Sequence, residues 1–527
     1  MAVTLSDEQY KRRVVGCWLG KSIGGTLGMP YEGVRQTLSL TYYDPVPTQM
    51  LPNDDVDAQV IYAVLLDRMD QPRVDRHVLS AAWQHIGMSA DEYGICKRNL
   101  RLGLLPPVTG SYDNPFTRGM GAAIRTEIWA CLAPGQPELA AAYAYEDACM
   151  DHDGEGIHAA VFIAAMQSMA FVERDIDVIL DRAMQFIPHE SELHAALTDT
   201  RRWWAQTGDW AAVQQRLADR YLTDNFTDVV INVSYIVLGW LAGRGDFGRA
   251  ICAAVNAGQD TDCTGATLGA LLGILDPDGM DERWLAPIGR ELVLSDSVHD
   301  ITHPPTIDVF VDLLMDLRNR LAGARPQVEE VDQETDHLAI VAEIGFGSGN
   351  CLPEIDVAPS PPAAMQPTTF PGHFVTLPVE CCMGELVWVR YRVHLAQTQS
   401  VGLLFNTPAP MRLWVDRRGV LSRDGGAFVP AMHRAPRNQF ATMTLFAGEH
   451  ELLAVMRKPQ SGALIWCVGL CDRKPRPVDS DWLIEAFPRV GHSVHGEQAA
   501  LPRRATNGAL RRAAVVDLAQ DGAYLRS

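Results

Sequence analysis

Residues 256–275 read NAGQDTDCTGATLGALLGIL. The second half has helical spacing, and Gly265, Gly269 and Gly273 recur at every fourth position. A glycine inside a helix costs about 1 kcal/mol relative to alanine, so a row of them needs a compensating contact. Residues four apart stack on one helical face, and a face without side chains lets a neighbour approach unusually closely. A partner is legible near the N-terminus. Gly16, Gly20, Gly24 and Gly28 form the same row in a segment opened by Ser6-Asp7-Glu8-Gln9, a capping-box pattern ahead of a helix through Leu27. Two glycine-faced helices predict close packing in one core, with Asp260 and Asp262 at its mouth.

The chain has 527 residues, too many for one ordinary core, and its 47% hydrophobic content excludes wholesale disorder. A formal charge of -20 disfavours a nucleic-acid surface, which relies on clustered Lys and Arg. The eleven cysteines lack paired metal-ligand spacing, and MAVTLSDEQYKRRVV lacks the apolar core of a signal peptide. These features predict a reduced, cytoplasmic protein with no bilayer-spanning run.

To about residue 325 the pattern is helical, with candidates at Val56–Met69, Pro137–Met150, Gly156–Val172, Asp209–Tyr221, Val230–Ala242 and Ile307–Leu321. Residues 326–372 are polar and then proline-rich, which suits a connection. From 373 to 482 alternating segments such as LVWVRYRVHL, PMRLWVD, ATMTLF, HELLAVMR and ALIWCVGLC predict an antiparallel β-sandwich. Residues 483–527 form a tail with basic pairs at Arg503-Arg504 and Arg511-Arg512. The predicted fold class is therefore multidomain, an all-α domain followed by a jelly-roll-like antiparallel sandwich.

Acidic groups cluster at helix ends: Glu32 in TLGMPYEG, Asp54 and Asp55 in LPNDDVDAQ, Asp260 and Asp262 in GQDTDCTG. One acid per helix is explained by capping, Asp54 or Asp262 being candidates. Adjacent pairs are not. Carboxylates that converge repel one another unless protonated or bridged by hard cations, which prefer oxygen ligands.

The segments GKSIGGTLGMPYEG, LPNDDVDAQ, RGMGAAIRTE, MDHDGEGIHAAVFIAAM and AVNAGQDTDCTGATLGALLG resemble, in order and spacing, the ADP-ribosylglycohydrolase family over about residues 8–295. That resemblance implies an all-helical fold with a Mg or Mn centre that cleaves a glycosidic bond at the anomeric carbon of an ADP-ribosyl group. It implies Asp54, Asp55, Asp260 and Asp262 as metal ligands, with Asn53 and Cys263 at positions where the family has threonine. Glu32 and Asp55 are the expected catalytic residues. Gly119, Met120, Gly121 and Arg125 match a loop along the substrate's ribose and phosphates, Met120 standing where asparagine is usual, and His152 matches a cleft histidine. Gly25 stands where the family has an aspartate. Cys263 is a soft ligand for magnesium, so the expected count is two ions or one.

Other groups have plainer readings. Asp57 reads as solvated, as a support for the ligands or, in NDDVD, as a further ligand, Asp151, Asp153 and Glu155 as a solvated acidic turn, and His158 as an ordinary helical residue. Tyr112 and Phe116 would stack on a base or sugar, or pin their own loop. Trp203 and Trp204 read as helix packing. The stretches LLFNTPAPMRLWVDRRGVL and TLFAGEHELLAVMRKPQSGALIWCVGL resemble galactose-binding-like modules appended to glycosidases; such a module braces its neighbour or contacts carbohydrate. The expected function is metal-dependent hydrolysis of an ADP-ribosyl or related ribosyl small molecule, without nucleic-acid or membrane partners. A hydrolase of another N- or O-glycoside and a non-catalytic binding protein are the alternatives.

Overall fold

A computed structural model describes residues 5–327, 333–349, 351–431, 434, 438–472 and 485–490. Its helical part begins at Asp7–Gly28, where the capping box forms as expected: Gln9 N donates to Ser6 Oγ (3.2 Å) and Ser6 N to Gln9 Oε1 (3.0 Å). This helix lies antiparallel against Thr261–Leu275, glycine row on glycine row. A methyl group at Gly20 would lie 2.0 Å from the Gly269 carbonyl oxygen, one at Gly24 1.9 Å from that of Gly265, and one at Gly273 1.9 Å from that of Gly16. The backbones therefore touch, and no larger residue fits between them. Around the pair, Trp18 meets Phe310 of the Ile307–Leu321 helix edge-on at 4.7 Å between ring centroids.

The expected helices occur as Asp54–Asp67, Pro137–Ala148, Glu155–Ala170, Trp210–Tyr221, Val229–Gly243 and Ile307–Leu321. Further helices, among them Asp91–Arg101, Ile176–Ala183, Glu192–Thr207 and Phe247–Val255, carry more polar or shorter patterns that periodicity did not single out. Among the described residues, no helix is long and apolar enough to cross a membrane. None of the eleven cysteines is joined to another by a disulfide.

Among the described residues ten strands follow: β1 (Ile340–Gly347), β2 (Gln366–Phe370), β3 (Phe374–Pro378), β4 (Leu386–Leu395), β5 (Gln399–Asn406), β6 (Pro410–Val415), β7 (Arg418–Asp424), β8 (Phe440–Leu445), β9 (Gly448–Arg457) and β10 (Ala463–Asp472). They make antiparallel sheets ordered β2-β1-β4-β9-β6-β7 and β3-β10-β5-β8. The inner faces bury Val387, Val389 and Val393 of β4 with Leu403 and Phe405 of β5 and Val468 of β10. Trp466 Nε1 donates to Tyr391 Oη across the sheets (2.9 Å). Two of these strands lie inside residues 326–372. β2 contains Pro367 yet sits at a sheet edge, where a missing N–H is tolerated. Ala486 and Phe487 also enter the sandwich core; the basic pairs at Arg503 and Arg511 lie outside the described residues.

The two domains meet through side chains of residues 91–116. Asp113 accepts from Phe374 N (2.9 Å) and pairs with Arg98 (2.9 Å). Tyr112 Oη donates to Pro371 O (2.8 Å), and Ile95 and Phe116 pack with Leu404, Ala431, Cys467 and Cys471. Beside this joint His373 is buried, its Nδ1 hydrogen-bonded to Val468 O (2.9 Å). Burial, and then the charges of Arg98 and Arg489, push its pKa down to about 3.

Two outcomes follow. Gly269→Ala or Gly24→Ala forces the central helices apart and should cost about 3 kcal/mol or more, read by urea unfolding. His373 is held neutral in the fold, so the unfolded chain binds its proton more readily. Its stabilising contribution is complete above about pH 6.5 and is lost as pH falls, about 2 kcal/mol of it by pH 5. His373→Gln should flatten that part of the stability profile between pH 7 and 5.

Candidate metal centre

Two helix N-termini converge on one acidic cluster. Asn53 caps the Asp54–Asp67 helix, its Oδ1 accepting from Asp55 N (2.9 Å), while its Nδ2 donates to Asp262 Oδ2 (3.4 Å). Its amide oxygen is thus committed to the cap. Asp260 and Asp262 open the Thr261–Leu275 helix after a turn in which both Gly258 (φ 78°) and Gln259 (φ 70°) are left-handed. That strained pair turns Gln259 toward the preceding loop: its N donates to Val34 O (2.8 Å), and Gly33 N donates to its carbonyl (2.9 Å). The pairing carries Glu32, exposed at the rim, over the aspartates.

The result is two overlapping sets of donor atoms, each within 4.8 Å of one another: Glu32, Asp260 and Asp262, and Asp55, Asp262 and Cys263. Asp262 belongs to both. Burial, followed by neighbouring carboxylates, drives Asp260 well above the usual carboxylate range, and Asp262 to about 7. Asp55 also reaches about 7, burial outweighing the opposing charge of Lys21. Asp54 is raised by burial as well. Glu32 is pushed up to about 8 by loss of hydration around its carboxyl and by the charges of Asp262 and Asp54, although the residue keeps an exposed face.

Asp262 Oδ1 is buried with no hydrogen-bond partner, and Asp55 Oδ2, which also lacks a hydrogen bond, faces only the Lys21 ammonium at 3.6 Å. An orphaned carboxylate oxygen is costly, and carboxylates gathered in one cluster form a donor set that fits a hard divalent cation. Cys263 is different. Burial and the surrounding aspartates raise its thiol pKa well above the usual value, and Sγ donates its proton to Asp55 Oδ1 (3.5 Å). Gly25, at the position of the family's aspartate, faces Asn53 Nδ2, which a methyl group there would approach to 3.1 Å.

Below the aspartates lies a charged floor. Lys21, fully buried, is 3.6 Å from Asp55 Oδ2 and 3.0 Å from Glu127 Oε2, and donates to Ile124 O (2.8 Å). Gln59 Nε2 donates to Glu127 Oε2 (2.8 Å) and Asp55 O (2.7 Å). Asp57 is buried and binds the Ser295 backbone N–H (3.0 Å), tying a distant loop to the ligand helix.

The glycine loop rests on Glu92. A methyl group at Gly119 would lie 2.8 Å from Glu92 Oε1, and one at Gly121 2.4 Å from it. His152 stands 3.6 Å from Glu92 Oε1 and 2.7 Å from Asp151 Oδ1. Burial opposes its charge, but Asp151 and Glu92 raise its pKa to about 9, so the ring is a cation. Arg125 lies beneath the loop rather than along it, fully buried, bonded to Gly121 O (2.8 Å), Asp147 (3.0 Å) and Asp151 (2.6 Å). Met120 points into the helical core. Tyr112 lies at the domain joint. The side chains of these three are thus buried in contacts within the protein. Asp151 is not solvated; it is buried between Arg125 and His152. Glu155 caps Glu192–Thr207 by accepting from Glu192 N (2.8 Å).

Lys21, Gln59, Glu127, Asp91 and Glu92 belong to the site and were not singled out from sequence. A lysine inside a glycine row was the available signal for Lys21; Asp91 and Glu92 lie in the first turn of a helix that periodicity did not single out. Lys21→Met leaves Glu127 and Asp55 without their buried counter-charge and should destabilise the chain by about 3–5 kcal/mol in urea unfolding.

The family profile described as ADP-ribosylglycohydrolase matches residues 6–324. No protein with a curated description matches the chain. Among solved structures, one named "ADP-ribosylglycohydrolase-related protein complex" shares 17% identity and a TM-score of 0.43, over 59% of this chain and 99% of that one. A family 35 carbohydrate binding module from Clostridium thermocellum gives 14% identity and a TM-score of 0.13, over 25% of this chain and 88% of the module. A GH31 alpha-xylosidase from Xanthomonas citri gives 11% and 0.17, over 28% and 16%. Likenesses this distant do not bear on function.

Proposed function

Because the chain belongs to the ADP-ribosylglycohydrolase family, we propose that it is a metal-dependent hydrolase that cleaves the glycosidic bond at the anomeric carbon of an ADP-ribosyl or related ribosyl small molecule. Family membership supports the glycohydrolase class. Metal dependence rests on one observation above others, the orphaned Asp262 Oδ1 in the residue that belongs to both donor sets. Asp54, Asp55, Asp260 and Asp262 would hold Mg or Mn, in one site or two. When bound, such an ion polarises substrate oxygens and lowers the pKa of a water.

The chain's own residues do the rest. Glu32, held at the rim by the Gly33–Gln259 backbone pairing, is the carboxylate placed to take a proton from an attacking water or to face the positive charge that develops at the anomeric carbon. Asp55 is anchored from below by Lys21. Gly119 and Gly121 leave room for close approach of a sugar, and Glu92 with His152 keeps that loop from collapsing. The β-sandwich braces the helical domain through Asp113 and Tyr112.

Protein purified without chelator should contain Mg or Mn, and adding either ion at a hundred times its dissociation constant should stabilise the stripped chain by about 2.7 kcal/mol. The double variant Asp55→Asn, Asp262→Asn should fold yet lose that response. Hydrolysis of ADP-ribosyl-arginine, ADP-ribosyl-serine, nucleosides and simple glycosides then ranks substrates. No metal and no stabilisation would defeat the metalloenzyme reading, and turnover confined to non-nucleotide sugars would defeat the ADP-ribosyl one.

A further inference from the structure

The cluster carries a surplus of negative charge. Glu32, Asp54, Asp55, Asp91, Asp260 and Asp262 act on one another, so acidic groups dominate this region. The buried cations below are already committed, Lys21 to Glu127 and Asp55, Arg125 to Asp147 and Asp151. An anionic substrate approaching this mouth is repelled unless a further cation stands there.

One does, and the β-sandwich supplies it. Arg434 Nη2 donates to Asp91 Oδ2, and its guanidinium lies 4.6 Å from the centroid of the Phe226 ring. The edge of that ring is 3.7 Å from the position of a Cβ on Gly33, the neighbour of Glu32. On the other side, Asp91 precedes Glu92, on which the glycine loop rests. The guanidinium therefore bridges the Glu32 rim and the glycine-loop rim. Its charge acts on Glu32 and Asp91. The side chain keeps 21% of its surface exposed. Arg434 Nε is buried with no partner among the described residues. A guanidinium has five N–H donors in a rigid fork suited to phosphate, and Asp91 uses one.

We propose that Arg434 is a specificity-determining residue, contributed in trans between domains, that binds a phosphate on the part of the substrate outside the scissile bond. This rests on the hydrolase reading above and adds to it a task for the appended domain beyond bracing. Phe226 provides the flat apolar wall that keeps the guanidinium extended over the mouth.

Calorimetric binding of ADP-ribose, ribose 5-phosphate and ribose to the full metal-loaded chain tests it, with Arg434→Gln, Arg434→Lys and Asp91→Asn alongside wild type. The expected result is a loss of about tenfold or more in affinity for the phosphate-bearing ligands in Arg434→Gln, partial recovery in Arg434→Lys, and unchanged affinity for ribose. The assignment is overturned if Arg434→Gln binds the phosphate-bearing ligands like wild type. It is overturned equally if Arg434→Gln and Asp91→Asn merely lower the melting temperature in parallel with affinities intact, or if wild type binds neither phosphate-bearing ligand more tightly than ribose. The stabilisation by Mg or Mn is read in the same samples. Its absence strikes the hydrolase reading, whereas a normal metal response without phosphate discrimination strikes Arg434 alone.

Discussion

The backbone contact between the two glycine rows is the constraint on which the rest depends. Gly16 against Gly273, Gly20 against Gly269 and Gly24 against Gly265 set both the separation and the register of the central helices. Because they run antiparallel, the end of one helix lies beside the start of the other, where Thr261 Oγ1 donates to Gly28 O (2.8 Å). That places Asp260 and Asp262 next to the loop bearing Glu32. The same register puts Lys21, one residue past Gly20, under Asp55. A slip of one helical turn would separate the carboxylates from their counter-charge.

Charge explains the next layer. Carboxylates are gathered at two helix N-termini, whose dipoles favour them, but burial and mutual repulsion raise their pKa values. The protein sets counter-charges beneath the cluster and leaves Asp262 Oδ1 without a partner within it. Below the glycine loop the opposite design holds. Asp147 accepts from Tyr62 (2.8 Å), Trp129 (3.1 Å) and Arg125 (3.0 Å), and Asp151 pairs with Arg125 and His152. A network this densely bonded around Asp147 and Asp151 rigidifies its surroundings, which suits a platform for substrate. One buried polar region is held by many hydrogen bonds; the other keeps a bare carboxylate oxygen on Asp262.

The sandwich is joined to this assembly by the same segment that shapes the mouth. The residues from Asp91 to Phe116 run from the rim of the acidic cluster to the domain joint, so Asp113, Tyr112 and Phe116 serve contacts with Phe374, Pro371 and the Leu404 cluster. Aromatic residues near a substrate loop read equally well as sugar-stacking groups or as pins. Burial against the second domain decides for the pins.

Periodicity and spacing determined a good deal. The glycine rows, the capping box, most long helices, the alternating strands and the ordered acidic motifs are local patterns, and local patterns survive in a linear sequence because backbone geometry repeats every few residues. β2 escaped because proline-rich surroundings mask an edge strand, and β1, paired on both sides, because it follows the polar stretch that reads as a connection. The destinations of side chains did not follow from the pattern. Met120 and Arg125 flank the loop glycines yet turn into the core and the buried network; Asp151 sits in an acidic stretch yet meets a cation on each side; Lys21, Glu92 and Arg434 reach the site from segments far apart in the chain. Whether a polar group is solvated, paired or left bare is settled by which distant segment packs over it, and that depends on long-range contacts that only the folded chain brings together.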